Sequence, residues 1–292
     1  MAQTYAIKEI ASLTGIKAHT IRVWELRYGI LVPKRTATNF RYYDNDDVQL
    51  LLNISYLNKS GYKISTIAKH SPEQIQELVA EVGKKEVGEN FGIEELTKAM
   101  IALNERAFDA YLDKVILENG LESTMLKLVF PFMRQVGYMW QAGAITASHE
   151  HFTSNLVRKK IILATHSQPI FEGGKRYVLY LPELEYHELG LLFANYILKA
   201  QGNHTIYLGQ NVPFDDLLVM CKGFLPDCII TAITAPLPNQ DTEEYVYKLA
   251  QNFDNARIYL SGYCALSLDI ALPKNVEKIH DFSQLKKLAC SA

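Results

Sequence analysis

The chain has 292 residues, 48% hydrophobic and 21% charged, a globular composition long enough for two or three domains. No apolar run approaches the roughly 18–20 residues of a membrane helix, and the start, Met1-Ala-Gln-Thr-Tyr5, lacks the basic-then-apolar pattern of a secretion signal. Net charge is −2, yet residues 1–70 carry +5 and the remainder −7. A basic segment on an acidic body points to a nucleic-acid module joined to something else. Cys221, Cys228, Cys264 and Cys290 form no Cys-x-x-Cys pair, so zinc and redox motifs are unsupported. Buried thiols in a reducing cytoplasm are the expectation.

Ile7 to Leu13 has apolar residues at helical spacing, and Thr14-Gly15 stops it. Lys17 to Arg27 resumes that spacing. Ile21, Trp24 and, at the margin, Leu26 fall inward, leaving His19, Thr20, Arg22 and Arg27 outward. Two short helices about a glycine turn make a helix-turn-helix, whose second helix enters the major groove. Thr and Arg suit that position because they reach phosphates and base edges. Leu31 to Tyr43 is extended and punctuated by Pro33. It sets Lys34, Arg35 and Arg41 beside Phe40, Tyr42 and Tyr43, a basic, aromatic hairpin that can act as a wing. Asp44-Asn-Asp-Asp47 supplies N-caps for a helix to about Lys59. Gly61 ends that helix, a short one follows over Ile64 to Lys69, and Pro72 opens another to about Val82.

These residues resemble the winged-helix DNA-binding domain of the MerR family. The likeness rests on Tyr5-Ala-Ile-Lys-Glu-Ile-Ala, Thr20-Ile-Arg-Val-Trp-Glu-Leu-Arg-Tyr-Gly29, Pro33-x-Arg35 and Arg41-Tyr-Tyr-x-x-x-Asp47. It implies double-stranded operator DNA as partner, with His19, Thr20, Arg22 and Arg27 on the recognition helix and Arg35, Arg41 and Tyr42 as wing contacts. The Trp24-Glu-Leu-Arg-Tyr-Gly29 version resembles one MerR branch, which carries a cobalamin-binding-like body.

Gly83, Gly88, Asn90 and Gly92 break the helical pattern. They divide the chain into a DNA-binding domain over 1–82, a linker over 83–92, a helix bundle over 93–170 and an α/β domain over 171–292. Helices are expected near 93–103, 105–118, 121–139 and 147–165, a four-helix bundle. No long heptad run follows the DNA-binding module, so self-association into a dimer or tetramer would use the C-terminal body. Across the break at Gly143 the chain reads Trp140-Gln-Ala-Gly-Ala-Ile-Thr-Ala-Ser-His-Glu-His151. On residue types alone Trp140 also reads as a core residue, and His149 and His151 as capping residues or, with too few partners for a site, a chance zinc pair. The spacing of Trp140 to Glu150-His151 resembles the CarH/LitR family of cobalamin-dependent regulators. In that likeness the three cover the upper face of the corrin.

From 176 onward strand and helix patterns alternate. Strands are expected at 177–182, 204–208, 227–233, 256–261 and 276–280, with helices between. Such alternation implies a doubly wound, flavodoxin-like (Rossmann-like) parallel sheet. The fold class is therefore α plus α/β, in several domains. Leu184-Glu-Tyr-His-Glu-Leu-Gly190 falls at the carboxyl end of the first strand, the edge where open α/β sheets bind ligands. By itself it is also an ordinary βα loop with a His and two Glu. Glu185-x-His187-x-x-Gly190 resembles the cobalamin motif Asp/Glu-x-His-x-x-Gly. The likeness makes His187 the lower axial cobalt ligand and Glu185 the group that orients it, with Gly190, Val212, Thr231 and Gly262 as further cofactor positions.

The chain departs from that pattern at three places. Thr231-Ala-Ile233 replaces Ser-x-Leu. Tyr263 follows Gly262 where a second glycine makes room for the nucleotide tail, so its side chain would fill that room. Gln141 replaces the His that follows the Trp in light-sensing members, so a bis-His photoproduct would not form although the cobalt–carbon bond stays photolabile. The expectation is a cytoplasmic transcriptional repressor, not an enzyme, holding adenosyl- or methylcobalamin between bundle and α/β domain. The alternative is a regulator that has lost the cofactor and works through protein–protein contacts.

Overall fold

The computed structural model describes residues 5–14, 16–35, 41–87, 91–141, 143–169, 174–237 and 241–290. They form two compact units, Met1–Ser154 and Asn155–Ala292.

The first unit opens with α1 (Ile7–Thr14) and α2 (Ala18–Tyr28). Gly29 stops α2 in the left-handed region at φ 63°, its N–H returning to the Glu25 carbonyl. The strands β1 (Lys34–Arg35) and β2 (Arg41–Tyr42) pair antiparallel, Lys34 facing Tyr42 and Arg35 facing Arg41. The expected wing position of Phe40 lies outside the described residues. Asp44 caps α3 (Asn45–Lys59) in a reciprocal box: it accepts from the Asp47 N–H while Asp47 accepts from the Asp44 N–H. α4 (Ile64–Ile67) and α5 (Pro72–Val87) follow. Trp24 packs against two apolar clusters, one around Ile10, Ile21 and Leu51 and one around Ile54, Ile67 and Val79. Leu26 is the exception to the inward reading of α2. It is 85% exposed, because a short helix with Ile21 buried can turn only one narrow face inward.

The break expected from Gly83 does not occur, since α5 runs on through Val87. One glycine costs a helix only about 1 kcal/mol, which the burial of Ile75, Val79 and Val82 on the same helix outweighs. The bundle helices are α6 (Phe91–Ile101), α7 (Glu105–Asn119), α8 (Leu121–Thr124), α9 (Phe130–Gln141) and α10 (Ala147–His166). A wide π-turn over Met125–Val129 joins α8 to α9. It ends two residues before Pro131, whose ring crowds the carbonyl four residues back, at Lys127. The Tyr56 and Tyr138 rings meet at 4.5 Å, so α3 packs on α9 within the first unit. The boundary between the two compact units falls inside α10.

The second unit is a five-stranded parallel sheet in the order β4-β3-β5-β6-β7. Its elements are β3 (Arg176–Pro182), α11 (Leu189–Ala200), β4 (His204–Val212), α12 (Phe214–Phe224), β5 (Cys228–Ala232), α13 (Thr242–Asn252), β6 (Arg257–Ser261), α14 (Tyr263–Leu266), β7 (Val276–Lys278) and α15 (Phe282–Cys290). Counted along the chain the order is second, first, third, fourth, fifth, the flavodoxin-like winding. β3 is buried from Tyr177 to Pro182, as a central parallel strand covered on both faces must be. Val178 and Tyr180 point into a core with Leu217, Ile229, Val246 and Leu249. On α11 and α15, Phe193 and Phe282 stack edge-on at 4.9 Å.

Candidate functional site

The order of the sheet creates the site. All five strands run parallel, but the direction in which successive strands are added reverses between β3 and β5, and the loops at the carboxyl ends of those two strands line the switch point where open α/β sheets form a ligand crevice. The β3 loop carries Glu185, His187 and Glu188. Two non-glycine residues with positive φ shape this corner, Leu184 at 64° and Asn211 at 58°; the conformation costs a residue such as Leu184 roughly 1–2 kcal/mol, while Asn adopts it more readily. They are tied together: the Leu184 N–H donates to Asn211 Oδ1 at 2.9 Å, and the Asn211 N–H to the Glu185 carbonyl at 3.3 Å.

Glu185 is 2% exposed. Its Oε1 accepts from the N–H groups of Tyr186 and His187 at 2.9 and 3.0 Å and meets His187 Nδ1 at 2.5 Å. Its Oε2 accepts from the N–H groups of Thr234 and Ala235, on the β5 loop, at 2.7 and 3.1 Å. Burial acts to raise the Glu185 pKa, but the bonds from His187 and from the Ala235, His187 and Thr234 N–H groups outweigh it and hold the carboxyl at about 2. An ionised Glu185 fixes the imidazole tautomer. Nδ1–H donates to Glu185, and the lone pair sits on Nε2. The His187 side chain is 64% exposed, so the residue stands at the crevice mouth on a rigid base.

Glu188, one residue on, is a second buried carboxylate that the sequence reading did not single out. Arg158 Nε and Gln210 Nε2 donate to its Oε1 at 2.6 and 3.3 Å, and the Tyr207 hydroxyl to its Oε2 at 3.0 Å. Burial, then Glu188 itself, pushes the Tyr207 hydroxyl far up, keeping it a donor. The sequence signal was available only as a Glu next to a candidate ligand, because its three partners lie 19 to 30 residues away.

The remaining expected positions divide. Gly190 is the second residue of α11, and an added Cβ would meet nothing nearer than the Phe282 ring at 4.0 Å. Internal packing does not demand glycine there. Gly262 differs. At φ 87° its missing side chain lets Ile233 approach, and a Cβ would lie 2.6 Å from the Ile233 carbonyl. Thr231 is fully buried and pairs in register with Tyr180. Val212 packs against the core beneath the sheet. Val212 pairs in register with Pro182, where the His187 loop begins. Tyr263, expected to fill an interior space, is 59% exposed. It begins a short helix whose turn from Gly262 carries the side chain outward.

In the first unit Trp140 is 47% exposed near the end of α9, which removes the core reading. His151 Nδ1 meets Glu150 Oε2 at 2.7 Å. His149 closes the start of α10, its Nδ1 lying 2.9 Å from the Thr146 hydroxyl. Gln141 is the last residue of α9 and half-buried.

On the DNA-binding module, His19, Arg22 and Arg27 are exposed on α2, Thr20 is half-buried, and Arg35 and Arg41 are exposed on the hairpin with Tyr42 half-buried between them. Two ion networks hold the wing. Lys34 bonds Asp44 and Asp47, and Glu25 of α2 accepts from the Tyr43 hydroxyl and faces Arg41 Nε at 3.8 Å. Arg41 therefore shares its charge with a buried partner.

Comparison with known proteins matches these parts. Residues 5–74 match the MerR HTH family regulatory proteins, and residues 93–164 match a B12 binding domain. The HTH-type transcriptional repressor CarH of Myxococcus xanthus is 31% identical over 256 residues, 85% of each chain. The chain belongs to the CarH-type branch of the MerR family. The HTH-type transcriptional repressor CarA of the same organism is 25% identical, covering 81% of this chain and 79% of its own. The Methanosarcina barkeri monomethylamine corrinoid protein superposes with a TM-score of 0.54 at 14% identity, over 71% of this chain and 98% of that one. At that identity the likeness is one of fold. The B12-domain match falls on the helix bundle, and the corrinoid protein shares the fold over a longer part of the chain. Among the described residues no helix is long and apolar enough to cross a membrane.

Proposed function

We propose that this chain is a DNA-binding transcriptional repressor that takes up cobalamin, with His187 as the lower axial ligand. One observation carries the cofactor claim: a buried, ionised Glu185 holds His187 Nδ1 at 2.5 Å. Carboxylate–histidine pairs of this kind orient a metal-ligating imidazole and raise its basicity. The donor set fits a metal that brings its own equatorial ligands. Among the described residues no group of three or more His, Cys, Asp or Glu gathers into a metal cage. A single oriented imidazole would supply one protein ligand to such a metal.

Cobalamin would supply a cobalt centre with an axial site for His187 and, in its alkyl forms, a cobalt–carbon bond that light breaks. The chain's residues would do the rest. Glu185 would orient the His187 imidazole that holds the metal, and Trp140, Glu150 and His151 would be further contacts to the cofactor. Arg22 and its neighbours on α2 read the operator, with the wing along the backbone. Regulation follows if cofactor uptake favours one arrangement or oligomeric state of the chain over another, since a ligand shifts an equilibrium only by its differential affinity. A homodimer suits a helix-turn-helix protein, because paired modules match the two halves of a palindromic operator.

The test is reconstitution in the dark with adenosyl- and methylcobalamin, desalting, and a visible spectrum. Coloured protein with a His-coordinated spectrum is expected, and His187→Ala should return the spectrum to that of a cofactor without this ligand. Colourless wild-type protein rejects cofactor uptake and leaves a repressor acting through protein contacts.

A further inference from the structure

We propose that Glu188 and Arg158 form a strut that pins the His187 loop to α10, which makes both of them positioning residues for the axial ligand. The inference rests on the reading of His187 as that ligand and extends it to residues with no assigned role.

Glu188 immediately precedes α11, yet its carboxylate makes no bond to that helix's own N–H groups. It turns away to Arg158 on α10 and to Tyr207 and Gln210 on β4. The carboxylate is 10% exposed. A buried charge persists only where donors compensate its lost hydration, and here three do. The shortest bond, 2.6 Å to Arg158 Nε, is the charge-assisted one.

His187 thus lies between two buried carboxylates anchored on different elements. Glu185 reaches the β5 loop at Thr234 and Ala235. Glu188 reaches β4 and α10. Any movement of the imidazole on binding a metal is resisted by the first and passed to α10 by the second, because His187 and Glu188 share a peptide bond. Supporting groups around a metal ligand typically change metal affinity by about 10–100-fold when removed.

The experiment uses the full-length chain with Glu188→Gln, Arg158→Gln and the double variant. Arg158 is 44% exposed, so Arg158→Gln keeps the test available should Glu188→Gln fail to fold. The first arm is amide hydrogen exchange on cofactor-free protein. Both single variants should lose protection at residues 186–190 and around 155–162. The second arm is dark titration with adenosylcobalamin, read in the visible spectrum. Affinity should fall about tenfold or more, with a smaller His-coordinated fraction at saturation. The double variant should be no worse than the singles, and Arg158→Lys should restore part of the loss. Unchanged protection on α10 overturns the strut. Lost protection with unchanged affinity and spectrum overturns the positioning role. If the wild-type chain itself stays colourless, the cofactor reading fails, and the exchange arm still decides the strut.

Discussion

The Tyr43 hydroxyl donates to Glu25 Oε1 at 2.5 Å, joining the end of the wing to the recognition helix. Tyr43 is fully buried and the Glu25 side chain only 5% exposed. Burial first, and then Glu25, hold the Tyr43 hydroxyl protonated far beyond the physiological range, so it donates at any working pH. Tyr43→Phe leaves a buried carboxylate short of a donor and should cost about 1–3 kcal/mol. Urea denaturation measures it, and an unchanged midpoint would show the bond contributes nothing.

Leu26 and Arg22 stand exposed on one short helix but should report different things. Arg22→Ala is expected to weaken operator binding by about 1–3 kcal/mol if it reads a base edge, or to lower the salt slope by about one if it holds a phosphate. A gel shift at several salt concentrations separates the two. Leu26→Ser removes no buried contact, so thermal stability should stay within about 0.5 kcal/mol. A larger loss would place Leu26 in the core after all.

Gly262→Ala should be among the costliest small changes in the second unit. It forces a side chain into the left-handed region and against the Ile233 backbone at 2.6 Å. Such sites destabilise by more than the roughly 1 kcal/mol a tolerated change would gain, and a loss of about 2–4 kcal/mol is expected. Thermal denaturation checks it. Gly190→Ala meets only ordinary contact at 4.0 Å, so cofactor-free stability should hold or rise slightly while cobalamin uptake falls. Equal losses at both glycines would remove the distinction drawn between them.

Asp44 joins the cap of α3 to Lys34 of the wing. Its pKa is lowered from 3.8, first by the Lys34 bond and then, against the opposing effect of burial, by the Asp47 N–H. A depressed carboxylate contributes stability that is present above its unfolded value and lost as pH falls through the folded one. The first unit should therefore soften below about pH 3.8, and Asp44→Ala, which costs about 1 kcal/mol as a lost N-cap, should flatten that acid limb. Stability profiles between pH 2 and 7 read this directly. An unchanged slope would mean Asp44 is already protonated or unpaired at the onset of unfolding.

Much of this was legible from local pattern. The αL stop at Gly29, the capping residues before α3 and the alternation of apolar strands with helices depend on neighbours within a few positions. Those chemical rules act in any context, so the winged helix, the helical middle and the doubly wound sheet follow from the residues alone. Glycine spacing misled at Gly83, where packing along α5 overrides a modest local penalty.

Chain order alone determined that a His and two Glu would stand on the first βα loop of a parallel sheet. Only the tertiary structure decided what each carboxylate does. Glu185 is turned to backbone donors on the β5 loop, nearly fifty residues away, and Glu188 to Arg158, thirty residues before it. Strand order sets those partners, because the reversal between β3 and β5 brings together loops that the sequence keeps apart. The same closure turned Tyr263 outward and packed Thr231 into the sheet. A buried carboxylate must find donors wherever the fold supplies them, and that choice is written in space rather than in spacing.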